Sequence, residues 1–177
     1  MGARERIASF MWGTCKDGRV PVKSHPTIRV GWREWVRMPS AGLPWIKAKI
    51  DTGARSSSVH AFDLQRFERD GEPWVRFSIH PWQGSDQDAV TLERPIVDER
   101  QVRSSSGHSE KRLVVELELV LARRRRTTEV TLSKRDEMGF RMLIGRETLL
   151  HGFVVDPAVS YLGPRPKLHL RRRNRGR

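Results

Sequence analysis

The chain has 177 residues, of which 37% are hydrophobic and 31% charged, with one cysteine and a formal net charge of +13. A single cysteine excludes an intrachain disulfide framework, and the sequence contains no apolar run long enough to cross a bilayer. We therefore expect one soluble, cytoplasmic domain of ordinary size.

The excess positive charge is concentrated in two short segments. Arg123–Arg126 are four consecutive arginines, and residues 165–177 contain seven Lys or Arg residues and no acid. Without these cations, the remaining Lys and Arg residues nearly balance the 21 acids. Basic clusters of this kind are solvated or bind polyanions without sequence preference. Contact with RNA or the ribosome through Arg123–Arg126 and the C-terminal tail is one interpretation of them.

In chain order, the sequence predicts many short strands and little helix. Residues 1–27 lack periodicity and are expected to form a mobile N-terminal extension. Alternating apolar and polar residues predict strands at residues 27–36, 46–50, 59–62, 74–79, 91–97, 113–121, 127–132 and 153–155. The arginines at 123–126 are expected to form a hairpin loop, and Arg146 to Leu150 a brief helix. This pattern favours an all-β barrel or sandwich.

Two short motifs stand out in this pattern. Asp51-Thr52-Gly53 directly follows a predicted strand and continues into Ala54, and Leu143-Ile144-Gly145-Arg146 lies far downstream. An isolated Asp-Thr-Gly is a weak signal, because Asp and Gly are common in turns. The interpretation of Asp51 as a turn residue therefore stays open. The pairing of the two motifs is more specific than either one alone.

The paired motifs resemble the retropepsin family of aspartic peptidases. Together with Gly31–Val36 and residues 155–162, they are similar to a bacterial branch often labelled "ATP-dependent zinc protease". Some members of that branch are associated with the ligase that adds glutamates to a ribosomal protein. The resemblance implies an all-β, retropepsin-like (acid protease) closed barrel with one short C-terminal helix, over residues 28–163. Residues 164–177 are then a basic C-terminal tail.

The resemblance also implies a mechanism. Asp51, Thr52 and Gly53 would form the catalytic loop of an aspartic endopeptidase, with active-site support from a second set of residues: Ile144, Gly145 and Arg146. Two close carboxylates share one proton, so that one acts as a base towards water and the other as an acid. The chain contains one Asp-Thr-Gly. The second carboxylate must therefore come from another copy, and a homodimer is implied.

The expected substrate contacts surround this loop. The resemblance implies a hairpin flap near residues 98–110, where small residues suit a mobile lid, and an inert hairpin loop is the alternative interpretation. The candidate substrate-binding residues are Ala54, Arg55, Ser57, Ser58, Arg103, Ser106 and Gly107. Viral retropepsins carry an acid at the place of Arg55, which pairs with the arginine of the Ile-Gly-Arg segment. We therefore expect Arg146 to pair with Glu147 or Asp136, and Arg55 to favour acidic peptide or protein substrates, including oligoglutamate.

Metal and nucleotide chemistry find little support in the sequence. The six histidines form no His-Glu-x-x-His element, and there is no Gly-rich phosphate loop. We therefore expect no metal and no cofactor. Two alternatives to the peptidase stay open: a non-catalytic module that binds the ribosome or RNA through the basic segments, and a metal-dependent hydrolase.

Overall fold

The computed structural model describes residues 27–103, 107, 109–133 and 139–173. The strands are β1 (Ile28–Gly31), β2 (Arg33–Met38), β3 (Leu43–Ile50), β4 (Ser57–His60), β5 (Phe62–Arg69), β6 (Glu72–Ile79), β7 (Val90–Pro95), β8 (Asp98–Arg103), β9 (Ser109–Leu121), β10 (Arg124–Ser133), β11 (Met142–Ile144) and β12 (Phe153–Asp156). The helices are α1 (Arg146–Leu149) and α2 (Leu168–Arg173), and a 3-10 turn spans Pro39–Ala41. Neither of these α-helices has the length and apolar character needed to span a bilayer.

Six strands pair around a ring, as a closed barrel requires. Their order is β10-β4-β11-β3-β2-β9, and β9 pairs back onto β10. β9 also carries β8 along its first half. β5, β6 and β7 form a separate three-stranded sheet, and β1 pairs in parallel with β12. The predicted all-β class is confirmed by this architecture.

Alternation along the barrel strands determines which side chains form the core. In β3, Ile46, Ala48 and Ile50 are buried, while Lys47 and Lys49 face outward. The long β9 strand follows the same period of two, with its leucines inside and its glutamates outside. Each large aliphatic side chain buried in this way contributes about 1.5–3 kcal/mol to folding.

The four consecutive arginines do not form the predicted loop. β10 begins at Arg124, and the hairpin turn is made by Ala122 and Arg123, whose φ angles are 47° and 71°. Tight hairpin turns with two positive φ angles usually carry Gly, Asn or Asp. Because Ala and Arg provide no such signal, the sequence does not reveal where the turn lies.

Helix α2 and most of strand β5 were not predicted from the sequence. Helix α1 lies where a brief helix is expected, but α2 adds a second within the segment predicted to be a tail. β5 extends well beyond the predicted residues 59–62, and nearly all of it is exposed or half-buried. It therefore lacks the alternation from which a strand is recognised. The predicted mobile extension lies outside the described residues except for Thr27.

A buried carboxylate joins the C-terminal segment to the barrel. Glu34 on β2 is fully buried, and its Oε1 accepts hydrogen bonds from Gly31 N (2.7 Å) and Leu162 N (2.9 Å). Its Oε2 accepts a third from Gly163 N (3.1 Å). Three N–H donors compensate for the removal of the carboxylate from water. Glu34 thereby holds the chain around residues 162–163 against β1 and β2.

Replacing Glu34 with Ala is expected to lower the free energy of unfolding by roughly 2–4 kcal/mol, because three N–H groups lose their acceptor. Glu34→Gln keeps one carbonyl acceptor and should lose less. Urea denaturation measures both changes, with Glu72→Ala, an exposed glutamate at the start of β6, as the control. A loss below about 0.5 kcal/mol for Glu34→Ala, as at an ordinary surface position, would contradict this role.

Candidate active site

The two motifs meet at one end of a pair of parallel strands. β3 ends at Ile50 and β11 ends at Ile144, and these two residues lie opposite each other in the parallel register. Asp51 N donates to Ile144 O at 2.9 Å, which extends the pairing one residue beyond β3. Because neighbouring parallel strands end at the same sheet edge, Asp51 and Gly145 leave the barrel side by side.

Backbone amides of its own loop hold the Asp51 carboxylate. Oδ1 accepts hydrogen bonds from Gly53 N (3.0 Å) and Ala54 N (3.1 Å). Oδ2 lies 3.6 Å from Lys49 Nζ, and the Asp51 side chain is 25% exposed. Thr52 and Gly53 beside it are exposed, whereas Ala54 is half-buried. Asp51 thus stabilises the turn and also presents an oriented carboxylate at the surface.

A glycine at position 145 allows the second motif to touch the first. A Cβ atom built on Gly145 would lie 2.5 Å from the carbonyl carbon and oxygen of Ser56 and 2.7 Å from Arg55 O. These are backbone atoms, which cannot rotate away from the new methyl group as the end of a flexible side chain can. Any other residue at 145 would therefore push the two loops apart. At Gly53, a Cβ atom would lie 3.2 Å from Asp51 Oδ1 and would crowd the carboxylate.

Helix α1 is hydrogen-bonded to the Asp51 loop at several points. Arg146 N donates to Ala54 O (2.9 Å), and Glu147 N donates to Arg55 O (3.1 Å). The Arg146 guanidinium Nη1 donates to Gly53 O (3.0 Å) and to Thr52 O (3.3 Å). These bonds make the loop and the first turn of α1 a single unit.

The prediction of an ion pair between Arg146 and Glu147 is wrong. Arg146 binds backbone carbonyls, while Glu147 pairs with Arg55 at 2.8 Å between Oε1 and Nε. The charges are thus reversed relative to the viral pattern, in which the acid lies on the catalytic loop. Arg55 nevertheless remains 78% exposed. Asp136, the other expected partner of Arg146, lies outside the described residues.

Ser57 and Ser58 lie inside the fold, contrary to the expectation that they contact substrate. Both side chains are buried on β4. Ser57 Oγ accepts a hydrogen bond from Gly145 N (3.1 Å) and is hydrogen-bonded to Thr148 Oγ1 (2.8 Å). Ser57 therefore connects β4 to the Ile-Gly-Arg segment and helix α1, and its hydroxyl is occupied by these contacts.

The segment predicted as a flap contains a hairpin of β8 and β9. Arg103 lies opposite Ser109 in the antiparallel register of these two strands. Gly107 is exposed and has a φ of 86°, a conformation that favours glycine. Ser106 and the side chain of Arg103 lie outside the described residues.

Arg100 connects this hairpin to the Asp51 loop. Its guanidinium pairs with Asp98 (2.6 Å) and with Glu129 on β10, and Nη1 lies 3.4 Å from Ser56 Oγ. Hydrogen bonding to Glu129 raises the pKa of Arg100, and the Arg100 guanidinium lowers the pKa of Asp98. Both shifts favour the charged forms of Arg100 and Asp98 within this cluster. It holds β8 beside the candidate site.

The sequence of this chain matches the model of a known protein family. The RimB-like model, described as retropepsin-like aspartic endopeptidase RimB, matches residues 29–166. The chain belongs to this family. The RimB-like match confirms the predicted resemblance, and the retropepsin-like fold expected from the paired motifs is confirmed with it.

Curated relatives carry the RimB-like region within longer proteins. A probable alpha-L-glutamate ligase of Desulfotalea psychrophila is 45% identical over 131 residues, which cover 74% of this chain and 28% of the relative. A protein of the same name from Shewanella pealeana is 45% identical over 132 residues, covering 75% of this chain and 29% of the relative. The chain thus spans less than a third of the length of these relatives.

A solved structure shares the fold. A Legionella pneumophila protein of unknown function (DUF785) matches with a TM-score of 0.65 and 27% sequence identity. The match covers 76% of this chain and 96% of the Legionella chain. About three quarters of this chain therefore corresponds to nearly all of that smaller protein.

Sequence reasoning overlooked three residues of the RimB-like site. Lys49 lies near the end of β3, and Asp51 directly follows that strand. Residues two positions apart in extended chain face the same side, so the two side chains are in contact. This spacing is visible in the sequence. Thr148 and Arg100 are brought to the site by tertiary contacts. No local pattern marks either of them, so the sequence alone could not have identified their roles.

The described residues offer no set of metal ligands. Within residues 27–103, 107, 109–133 and 139–173, no group of three His, Cys, Asp or Glu side chains is placed to hold a metal ion. Asp51 itself has a cation, Lys49, within ion-pair distance. That ammonium would oppose the binding of a second positive charge at the carboxylate.

Gly145→Ala is expected to destabilise the protein by about 3 kcal/mol, because the new methyl group overlaps the backbone of residues 55–56. Gly139→Ala is a matched control, since a Cβ atom there meets no atom of the described residues within 4 Å. Chemical denaturation of both variants measures the difference. Equal stabilities would show that the contact at position 145 is not tight.

Proposed function

We propose that this RimB-like chain is an aspartic endopeptidase in which Asp51 from each of two copies forms the catalytic pair. The observation that carries the proposal is the Asp51 carboxylate, oriented by Gly53 N and Ala54 N and 25% exposed beside the Ile-Gly-Arg segment. A turn residue alone would not need the tight contact that Gly145 allows. Membership of the retropepsin-like family supports the same chemistry.

The proposed mechanism uses water as the nucleophile. Two adjacent carboxylates hold one proton between them, because like charges at short distance do not both ionise. The ionised Asp51 takes a proton from water as the oxygen attacks the peptide carbonyl carbon. The protonated Asp51 then gives its proton to the leaving amine nitrogen, and the C–N bond breaks. The pair still holds one proton at the end, which is the proton taken from water and is now carried by the carboxylate that acted as the base.

The proposed dimer follows from the chemistry and from exposure. The chain supplies one Asp-Thr-Gly motif, so the second carboxylate comes from an identical copy across a two-fold axis. Thr52 and Gly53 are exposed in the single chain, as residues near such an axis would be. Small, exposed residues beside Asp51 leave room for the partner's loop to approach.

Asp51→Asn is expected to reduce peptide cleavage by about a hundredfold or more, because an amide cannot act as the general base. Thermal unfolding should be almost unchanged, since the amide oxygen still accepts the Gly53 and Ala54 hydrogen bonds. Asp70→Asn is the control: Asp70 is exposed with a φ of 53°, which Asn tolerates. Full residual cleavage by Asp51→Asn, or loss of wild-type cleavage on adding a chelator, would refute the aspartic mechanism.

Mixing the two forms tests the shared site. If each active site needs Asp51 from both subunits, an excess of Asp51→Asn protein should inhibit wild-type activity after subunit exchange. Asp70→Asn protein at the same concentration should not. Activity that stays proportional to the wild-type protein would contradict a site built from two copies.

The proposed substrate is acidic. Arg55 is mostly exposed next to the catalytic loop, although Glu147 neutralises part of its charge. Lys49 adds a second cation within 3.6 Å of Asp51. Cations at these positions favour peptides with Asp or Glu near the scissile bond. The relatives named probable alpha-L-glutamate ligase are consistent with a role in glutamate-rich chemistry, which supports this choice.

Two substitutions should change this selectivity in opposite directions. Arg55→Ala removes the cation and leaves Glu147 unpaired, so kcat/KM for an acidic peptide relative to its amide counterpart should fall about threefold to tenfold. Glu147→Gln removes the competing anion, and the same ratio should rise. Unchanged ratios in both variants would eliminate Arg55 as a specificity residue.

A second candidate function is binding of RNA or the ribosome without catalysis. The basic start of β10 and the tail from Arg165 onward favour it. Asp51→Asn separates the two functions, because it should abolish cleavage and leave polyanion binding intact.

A further inference from the structure

The outer face of β2 and β3 carries cations that lie next to one another. Arg33 lies directly opposite Lys49 in the antiparallel register, and Trp35 lies opposite Lys47. Directly opposite residues share one face of the sheet, where like charges are unfavourable. Lys49 also contacts the Asp51 carboxylate at 3.6 Å. A row of cations therefore runs along β3 away from the catalytic loop.

The far end of this row opens into a basic cavity between β2, β3 and the C-terminal segment. The cavity has a volume of about 160 Å³. Besides Leu168, two aromatic residues and four cations line it: Trp35, Tyr161, Lys47, Arg165, Arg171 and Arg172. Among the described residues, none that lines it is acidic. We name it the C-terminal pocket.

The cations of the C-terminal pocket lack acidic partners. Among the described residues, none of the four forms an ion pair with Asp or Glu, although ion pairs are common elsewhere on the surface. Arg171 Nε is buried without a hydrogen-bond partner in this part of the chain. Burial, together with the nearby Arg33 charge, lowers the pKa of Lys47. The pocket therefore concentrates positive charge that an anion would neutralise.

The aromatic rings in the pocket are already covered. Tyr161 has the Arg33 guanidinium 5.0 Å and the Arg165 guanidinium 5.6 Å from its ring centre, and Trp35 lies 6.1 Å away. Trp35 is itself almost completely buried and has Lys47 near its ring. RNA-binding proteins usually leave such rings open for stacking with bases. The covered rings favour carboxylates of a peptide over nucleotides.

We propose that the C-terminal pocket binds acidic side chains of the substrate several residues away from the bond that is cut. This inference rests on the proposed peptidase function and adds a binding site at a distance from it. Lys47 and Asp51 are four positions apart on one extended strand, which corresponds to about 13 Å. A substrate running along the row therefore places a residue about four positions from the scissile bond at the pocket mouth.

Peptide binding by the inactive Asp51→Asn protein tests the pocket without cleavage. The probe is a fluorescent peptide with Glu at every second position, and its Gln counterpart is the neutral control. The double variant Arg171→Gln, Arg172→Gln should weaken binding of the acidic peptide about tenfold, measured by fluorescence anisotropy at low salt. Lys167→Gln removes a cation from the same segment but not from the pocket lining, and should weaken it less than about twofold.

The outcomes distinguish the pocket from the peptidase. Equal affinities of the double variant and the Lys167→Gln control would overturn the pocket, even if wild-type protein cleaves the peptide. Binding that depends on the pocket, without cleavage by the wild type, would support the pocket and refute the peptidase. A single-stranded RNA of equal charge that binds more tightly, and that the acidic peptide cannot displace, would overturn the proposal in favour of RNA. If the double variant misfolds, Lys47→Gln on β3 provides the same comparison.

Discussion

The parallel pairing of β3 with β11 is the constraint on which the candidate site depends. It brings the residues that follow these strands to one edge of the barrel, so Asp51 and Gly145 come together although they are far apart in sequence. Because residue 145 is a glycine, its backbone can lie in contact with the backbone of residues 55–56. Helix α1 can donate hydrogen bonds to the Asp51 loop only because of this contact. The orientation of the carboxylate is therefore a consequence of strand pairing.

The arginine of the second motif supports the loop without an acidic partner. Arg146 binds carbonyl oxygens of the Asp51 loop, and carbonyls do not titrate. An arginine held by a carboxylate would lose that partner as the carboxylate is protonated in acid. The loop of this RimB-like chain avoids that dependence. The ionisable pair of Arg55 with Glu147 lies on the exposed side, where its charges are available to affect binding.

The sequence was informative where a side-chain pattern repeats or two motifs coincide. Alternation in β3 and β9 and the pairing of Asp51 with Gly145 led to the correct fold class and family. The turn at Ala122 and Arg123 could not be found, because its residues are unusual for positive φ angles. The burial of Ser57 depends on β4 having neighbours on both sides, which no local pattern encodes.

Two of the strand pairings that complete the barrel ring, here called joints, are equally short but differ in the side-chain hydrogen bonds that support them. β4 and β11 share two residue pairs, and so do β2 and β9. The first joint is strengthened by Ser57, which bonds to Gly145 N and Thr148. Among the described residues, no side-chain hydrogen bond strengthens the second. Local opening begins where the fewest bonds must break. Local opening of the barrel is therefore expected between β2 and β9, while the strands that carry the Asp51 loop stay together.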